Sequence, residues 1–156
     1  MKTLILYESM HGCTKRAVEQ LKNGLTGEVK MQRLKDKPSV FVNAYDRILI
    51  GGSIHAGSIQ GSVKSFCKKN RDILMEKEVG LFLCCMDQER AQEQFDNAFP
   101  ETLRNHAKAH GLFGGAFDFE KMNFIQRAIV KKISGIKESV NRLDEKKIQS
   151  FIEALK

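Results

Sequence analysis

The sequence predicts an α/β fold: a doubly wound sandwich in which a five-stranded parallel sheet carries helices on both faces. Three observations point there. Apolar runs of strand length alternate with longer segments of helical period along 156 residues. Most of these runs are apolar throughout rather than at every second position, so both faces of the sheet need cover, as in parallel sheets. Loops rich in small and polar residues follow them.

The elements are read in order. Lys2–Tyr7 is a continuous apolar run and the first buried strand. The next segment, Cys13–Gly24, sets Ala17, Val18 and Leu21 on one helical face, with Gly24 as its stop. Residues 28–34 alternate at Val29 and Met31, which suits a strand nearer the sheet edge. A third strand at 46–52 is again fully apolar, and 60–74 places Val63, Phe66, Cys67, Ile73 and Leu74 at helical spacing. Residues 79–84 form the fourth strand. Residues 90–110 are helical in period but contain Pro100, which lacks an amide donor and belongs at the first turn of a second helical piece. The last strand candidate is 111–117, and helical patterns follow at 121–134 and 144–155. With no repeats or linker-like stretches, residues 1–156 are expected to form a single domain.

Composition excludes several classes. No apolar run approaches the roughly 20 residues needed to span a bilayer, and the apolar start is short and interrupted by Glu8, unlike a secretory leader. A cytoplasmic protein is expected. Cys13, Cys67, Cys84 and Cys85 form no metal-ligand spacing, so no metal site is expected; free thiols are the simplest reading, with Cys84 and Cys85 on opposite faces if they lie in a strand. The net charge of +7 favours acidic partners. Nucleic acid is not expected, because bases are interleaved with acids and no aromatic stacking platform is evident. A basic, non-enzymatic binding module has only this charge behind it.

In a doubly wound sheet, ligands sit beyond the carboxyl ends of the strands, where strand order reverses. The loop after the first strand reads Ser9-Met10-His11-Gly12-Cys13-Thr14. It has two hydroxyls, a glycine and the amides of a helix start, the ingredients of an anion cradle. GxxxxGK[ST] and GxGxxG are both absent, which argues against a nucleoside-triphosphate loop and against dinucleotide binding at this turn. A second small-residue loop, Ser53-Ile54-His55-Ala56-Gly57, follows Gly51-Gly52, and a third, Cys85-Met86-Asp87-Gln88, follows the fourth strand.

The first of these loops resembles the flavodoxin phosphate loop, Ser/Thr-x-Thr-Gly-x-Thr, with His11 in place of the central Thr. The resemblance implies a flavodoxin-like fold and an FMN cofactor. It implies that Ser9, Met10, His11, Gly12, Cys13 and Thr14 hold the phosphate, that Ser53, Ile54, His55, Ala56 and Gly57 line one face of the ring, and that Cys85, Met86, Asp87 and Gln88 cover the other. Within the family, Tyr45 to Ile54 with Gly57, and the late segment 124–135, resemble the menaquinone-dependent protoporphyrinogen dehydrogenases. That branch oxidises protoporphyrinogen IX in haem biosynthesis and passes electrons to quinone. It carries a longer basic insertion where residues 86–110 are short and acidic here. An FMN-dependent oxidoreductase of the protoporphyrinogen/quinone type is therefore expected, with no side chain nominated as catalytic acid or base. The alternative is a flavodoxin-type electron carrier without a porphyrin substrate.

Two competing readings of this architecture are weak. Cys84 and Arg90 fit the C-x5-R of a cysteine phosphatase, but Asp87 and Glu89 inside the loop would repel a phosphate. A phosphoryl-accepting aspartate is missing from the end of the third strand, where Gly51-Gly52 stands.

Charge is concentrated late: residues 121–156 hold nine Lys and Arg against four Asp and Glu. Met122, Ile125, Ile129 and Ile133 form one stripe in 121–136. Packing on the sheet is the favoured reading for Ile125 and Ile129. The other is an amphipathic helix touching an anionic membrane, convenient for a lipid quinone and for peripheral residence at its inner face. Neither reading fixes the oligomeric state.

Overall fold

A computed structural model describes residues 1–9, 13–36, 41–55, 57–85, 87–117, 125, 128, 140–141 and 143–156. The elements are β1 (Lys2–Tyr7), α1 (Cys13–Gly24), β2 (Glu28–Arg33), a 3-10 turn (Val42–Ala44), β3 (Arg47–His55), β4 (Ser58–Ile59), α2 (Gly61–Lys69), α3 (Arg71–Leu74), β5 (Glu78–Cys84), α4 (Ala91–Ala98), α5 (Glu101–His106), β6 (Ala109–Leu112), β7 (Ala116–Phe117), β8 (Val140–Asn141) and α6 (Glu145–Ala154).

The main sheet runs β2-β1-β3-β5-β6, with β4 paired to β3. All neighbours on that path are parallel, and the short β3–β4 hairpin attached to it is antiparallel. The chain moves outward from β1 to β2 and then returns to the far side of β1, so strand order reverses between β1 and β3. This is the expected doubly wound α/β architecture.

Alternation along the central strands builds two cores. Leu4, Leu6, Ile48, Ile50, Leu81 and Leu83 face one way and pack with Val63, Phe66, Leu74, Phe95, Phe99 and Leu103 from α2 to α5. Ile5, Tyr7, Leu49, Phe82 and Cys84 face the other and meet Ala17, Val18 and Leu21 of α1 and Ile148, Phe151 and Ile152 of α6. Phe82, Phe113 and Phe151 meet in the second core, with ring centroids 5.3–6.1 Å apart. Cys84 and Cys85 lie in opposite cores, as strand alternation requires, and all four cysteines are buried and free.

Polar anchors fix the ends. Arg47, only 7% exposed, donates to Glu78 Oε1 at 2.7 Å and to the Leu155 carbonyl at 2.7 Å. It thereby ties the starts of β3 and β5 to the end of α6. Asp144 caps α6 by accepting from the Lys147 amide at 3.1 Å, a contact worth about 1 kcal/mol.

Several boundaries differ from expectation. The third strand runs on to His55 because Ile54 and His55 pair back onto Ile59 and Ser58. The helical segment 60–74 breaks at Asn70, whose side chain donates to the Phe66 carbonyl at 3.0 Å and ends α2. Pro100 divides α4 from α5 as anticipated. The last main-sheet strand is Ala109–Leu112 rather than 111–117, so residues expected to close a helix enter the sheet beside Gly80 and Leu81. Gly114, at φ 78°, then turns the chain away, and Ala116–Phe117 pair with Val140–Asn141 outside the main sheet. Ile125 and Ala128 are helical, but Ile125 is 67% exposed, so its expected packing on the sheet is not found. Ile129 and the rest of the proposed stripe lie outside the described residues.

Candidate functional site

Three chain segments leave the carboxyl ends of the adjacent strands β1, β3 and β5. Their proximity is built into the ladder: Tyr7 pairs with Gly51, and Ser53 with Cys84. The Glu8 amide also donates to the Gly51 carbonyl at 3.2 Å. The described residues that begin the three sequence-predicted segments thus lie at one end of the sheet, at the point where strand order reverses.

After β1, Glu8 and Ser9 are buried although polar. The Glu8 carboxylate accepts from Arg33 Nε at 2.6 Å, the Lys35 amide at 3.0 Å and the Ser62 hydroxyl at 3.2 Å, while Arg33 also donates to the Ser9 carbonyl. One carboxylate therefore holds together the ends of β1 and β2 and the start of α2. Met10, His11 and Gly12 lie outside the described residues.

The chain resumes at Cys13 and Thr14, which open α1. This helix has no acidic residue in its first turn, so the positive end of its dipole is not offset from within. Among the described residues, two buried side-chain oxygens have no hydrogen-bond partner in good geometry, Thr3 Oγ1 and Thr14 Oγ1. Thr3 lies near the opposite end of β1. Thr14 is at the loop itself, with the Cys84 sulfur nearby. A buried hydroxyl at a helix N-terminus whose neighbouring acceptor is a sulfur, a weak one, suits an incoming anion, and a phosphate oxygen would be a stronger acceptor. In this respect the residues present fit the phosphate of FMN.

Ser53, Ile54 and His55 belong to β3 itself rather than to a loop; Gly57, at φ 81°, makes the turn into β4, and Ala56 lies outside the described residues. A clamp fixes this end: the Ser53 amide donates to Gln60 Oε1 at 3.0 Å, and Gln60 Nε2 donates to Ser53 Oγ at 2.9 Å. The paired glycines have an internal reason. A Cβ on Gly51 would stand 2.1 Å from the Phe82 ring, and one on Gly52 would stand 2.6 Å from Gln60 Oε1. The protein's own side chains fill the space that small residues here leave.

After β5, Cys85 is buried, its amide held by the Gly114 carbonyl at 2.8 Å. Gln88 Nε2 donates to the Cys85 carbonyl at 3.0 Å, and the Arg90 amide donates to Asp87 Oδ1 at 3.3 Å, so the segment folds on itself before α4. Met86 lies outside the described residues. Burial pushes the Cys85 thiol up from its ordinary value. At Cys84 the hydrogen bond with the Cys13 thiol, then burial, hold the pKa well above normal. Arg90 pairs instead with Glu93 at 3.5 Å, on the exposed surface. A protonated, buried Cys84 and a distracted Arg90 are the opposite of a phosphatase nucleophile and its anion clamp.

Sequence reasoning does not single out Glu8, Arg33 or Gln60 as site residues. The available clue for Glu8 is a charge ending an apolar strand; Gln60 carries none, because its partner is seven positions away across a turn.

Among the described residues, no group of His, Cys, Asp and Glu is arranged to hold a metal, and no helix is long and apolar enough to cross a membrane.

Comparison with known proteins agrees with this geometry. Protoporphyrinogen IX dehydrogenase (quinone) of Leishmania major is 22% identical over 142 residues, covering 85% of this chain and 62% of the relative. The chain thus spans less than two thirds of that protein's length. Among solved structures, oxidised Flavodoxin 2 from Bacillus cereus superposes with a TM-score of 0.61 at 21% identity, covering 99% of this chain and 97% of that one. The rubredoxin oxygen:oxidoreductase of Desulfovibrio gigas gives 0.57 at 12% identity, covering 99% of this chain but 37% of that one. A family model described as a flavodoxin domain matches residues 4–144. With its strand order and a family match over most of its length, the chain belongs to the flavodoxin family.

Proposed function

We propose that this chain is an FMN-dependent oxidoreductase of the protoporphyrinogen and quinone type. The observation that carries FMN binding is the buried Thr14 hydroxyl without a good partner at the N-terminus of α1. In this reading Ser9, Met10, His11, Gly12, Cys13 and Thr14 surround the phosphate. Ser53 to Gly57 lie along one face of the ring and Cys85 to Gln88 along the other. Bound FMN supplies the electron-accepting and electron-donating chemistry. The chain's residues orient it: Gln60 holds the end of β3, and the Glu8–Arg33 pair holds the start of the phosphate turn. Glu8 is committed to Arg33, Lys35 and Ser62, so it is not assigned as a base.

The protoporphyrinogen and quinone assignment rests on the resemblance of residues 45–54 and 124–135 and on the Leishmania relative. The charge is consistent with it. A protein at +7 stabilises added negative charge better than an acidic one, by interactions screened over about 10 Å at 0.1 M salt. The basic residues 121–156 would favour an anionic surface near a lipid quinone. The second reading is an electron carrier, favoured by the near-complete mutual coverage with Flavodoxin 2.

The first test is titration with FMN and with riboflavin. Thr14→Val should weaken FMN binding by about tenfold and leave riboflavin binding unchanged, because only FMN carries the phosphate. Equal effects on both would remove the phosphate assignment, and no flavin spectrum with FMN would remove the cofactor. Anaerobic oxidation of protoporphyrinogen, followed by reoxidation with a menaquinone analogue, then separates the enzyme from the carrier. Failure of turnover in a flavin-loaded protein selects the carrier.

A further inference from the structure

A second polar feature lies beside the β3–β4 turn and shares only Gly57 with the ring face in the reading above. It is a cleft of about 360 Å³ whose walls include Gly57, Ser58, Lys64, Gln94 and Asn97. By the volume of liquid water, about 30 Å³ per molecule, it has room for about a dozen water-sized groups.

Gln94 is the telling residue. It stands on the inward face of α4 between Ala91, Phe95 and Ala98, and is only 5% exposed. Its carboxamide makes no side-chain hydrogen bond with any described residue, while it lines the cleft. The residue is buried while its carboxamide borders the cleft, so two donors and an acceptor there are unspent on the described residues. Across the cleft, Lys64 on α2 forms no ion pair among the described residues. The acids of α4 that might neutralise it are engaged elsewhere, Glu93 with Arg90 at 3.5 Å and Asp96 with Arg104 at 3.3 Å. Among the described residues, no carboxylate lines the cleft. It therefore offers one cation, amide donors and backbone at a glycine turn, in a space sized for a small organic group.

We infer that this cleft binds an organic carboxylate: the anion pairs with Lys64 and accepts from the Gln94 carboxamide, with Asn97 at the mouth. A single ammonium with neutral donors matches a singly charged carboxylate better than a doubly charged phosphate. Gly57 belongs both to this wall and to the turn assigned to the ring, and Ser58 follows it in β4. The carboxylate would then be an arm of the molecule that exchanges electrons there, a placement that rests on the FMN reading, whereas binding in the cleft does not.

The test uses the full-length, ¹⁵N-labelled chain titrated with benzoate and, in parallel, with benzamide, its neutral counterpart. Benzoate should produce saturable shifts at the Gln94 and Asn97 side-chain amides and the Ser58 backbone, and bind at least tenfold more tightly than benzamide. Lys64→Gln, on an exposed position that does not threaten the fold, and Gln94→Leu should each weaken benzoate by about tenfold. Equal binding of the two compounds, unsaturable shifts spread over the surface, or an unchanged affinity in Lys64→Gln would overturn the inference. FMN binding is read separately by absorbance: a chain that takes benzoate this way but no flavin keeps the cleft and loses the flavin reading. If both bind, the flavin-loaded protein should be reduced more slowly by a carboxylate-bearing donor after Lys64→Gln, and at an unchanged rate by dithionite. An unchanged rate with the carboxylate-bearing donor would overturn the placement of the donor's arm and leave the free acid as the cleft's ligand.

Discussion

Arg33 donates through Nε to the Glu8 carboxylate at 2.6 Å, joining the last residue of β2 to the residue that follows β1. The contact extends the sheet ladder, because Tyr7 and Arg33 are register partners and the Leu34 amide donates to the Tyr7 carbonyl at 2.9 Å. It places a neutralised carboxylate where an isolated one would repel an anion.

Glu8→Gln should therefore cost about 1–3 kcal/mol of stability, as for other hydrogen bonds to a charged group. Arg33→Met should cost a comparable amount. Urea unfolding of both variants and the double variant should give a total well below the sum, because the two changes remove one interaction. Additive losses would show that the pair is not coupled.

The Gly51–Phe82 contact predicts an overpacking effect. Gly51→Ala places a methyl against a ring that already contacts Phe113 and Phe151, and should destabilise the protein by about 1–3 kcal/mol. Adding Phe82→Leu should recover part of that loss, measured by the same unfolding cycle. If Gly51→Ala costs as much in the Phe82→Leu background as in the native one, the clash is not the reason for the glycine.

Gln60→Ala removes both side-chain bonds to Ser53. Loss of about 1–2 kcal/mol in stability is expected. Hydrogen exchange at the Ser53 amide should accelerate by about tenfold or more while amides in β1 change little. In a flavin-loaded protein the same change should weaken FMN binding, since it loosens the β3–β4 turn.

Alkaline pH should weaken the fold through its buried thiols. Burial pushes Cys67 from 9.0 up to about 12, and Cys84 and Cys85 are shifted the same way. An acid with a raised folded pKa holds its proton while the unfolded chain releases its own. That contribution is intact below about pH 9 and is lost as pH climbs towards about 12. Between about pH 9 and about pH 10.5, Cys67 alone should remove roughly 1–2 kcal/mol. Cys67→Ala should flatten the slope of stability against pH over that interval, and an unchanged slope would show that this thiol ionises freely in the folded protein. Thiol reagents at about pH 8 should react slowly before unfolding and with all four cysteines after it.

The succession of apolar runs and helical segments by itself determined that five strands and their covering helices would form, and the period of two within a strand which side chains would face which core. Leu4 and Leu6 against Ile5 and Tyr7 follow from a period of two and need no tertiary information. The position of the first loop was equally legible, since a strand, a Ser-Gly-Thr turn and a helix start follow one another directly. What only the tertiary structure decided depends on partners distant in sequence or reached by reversing direction. The extension of β3 required Ile59 to fold back on Ile54, β6 began at Ala109 because Gly80 lay beside it, and Gly114 turned the chain out of the sheet. Glu8 found Arg33 25 positions away, and Gln94 kept its amide unspent because α4 set it on the wall of a cleft. Local periodicity specifies which face of an element is apolar. It does not specify which polar groups meet when those faces pack, and the candidate site is made of such meetings.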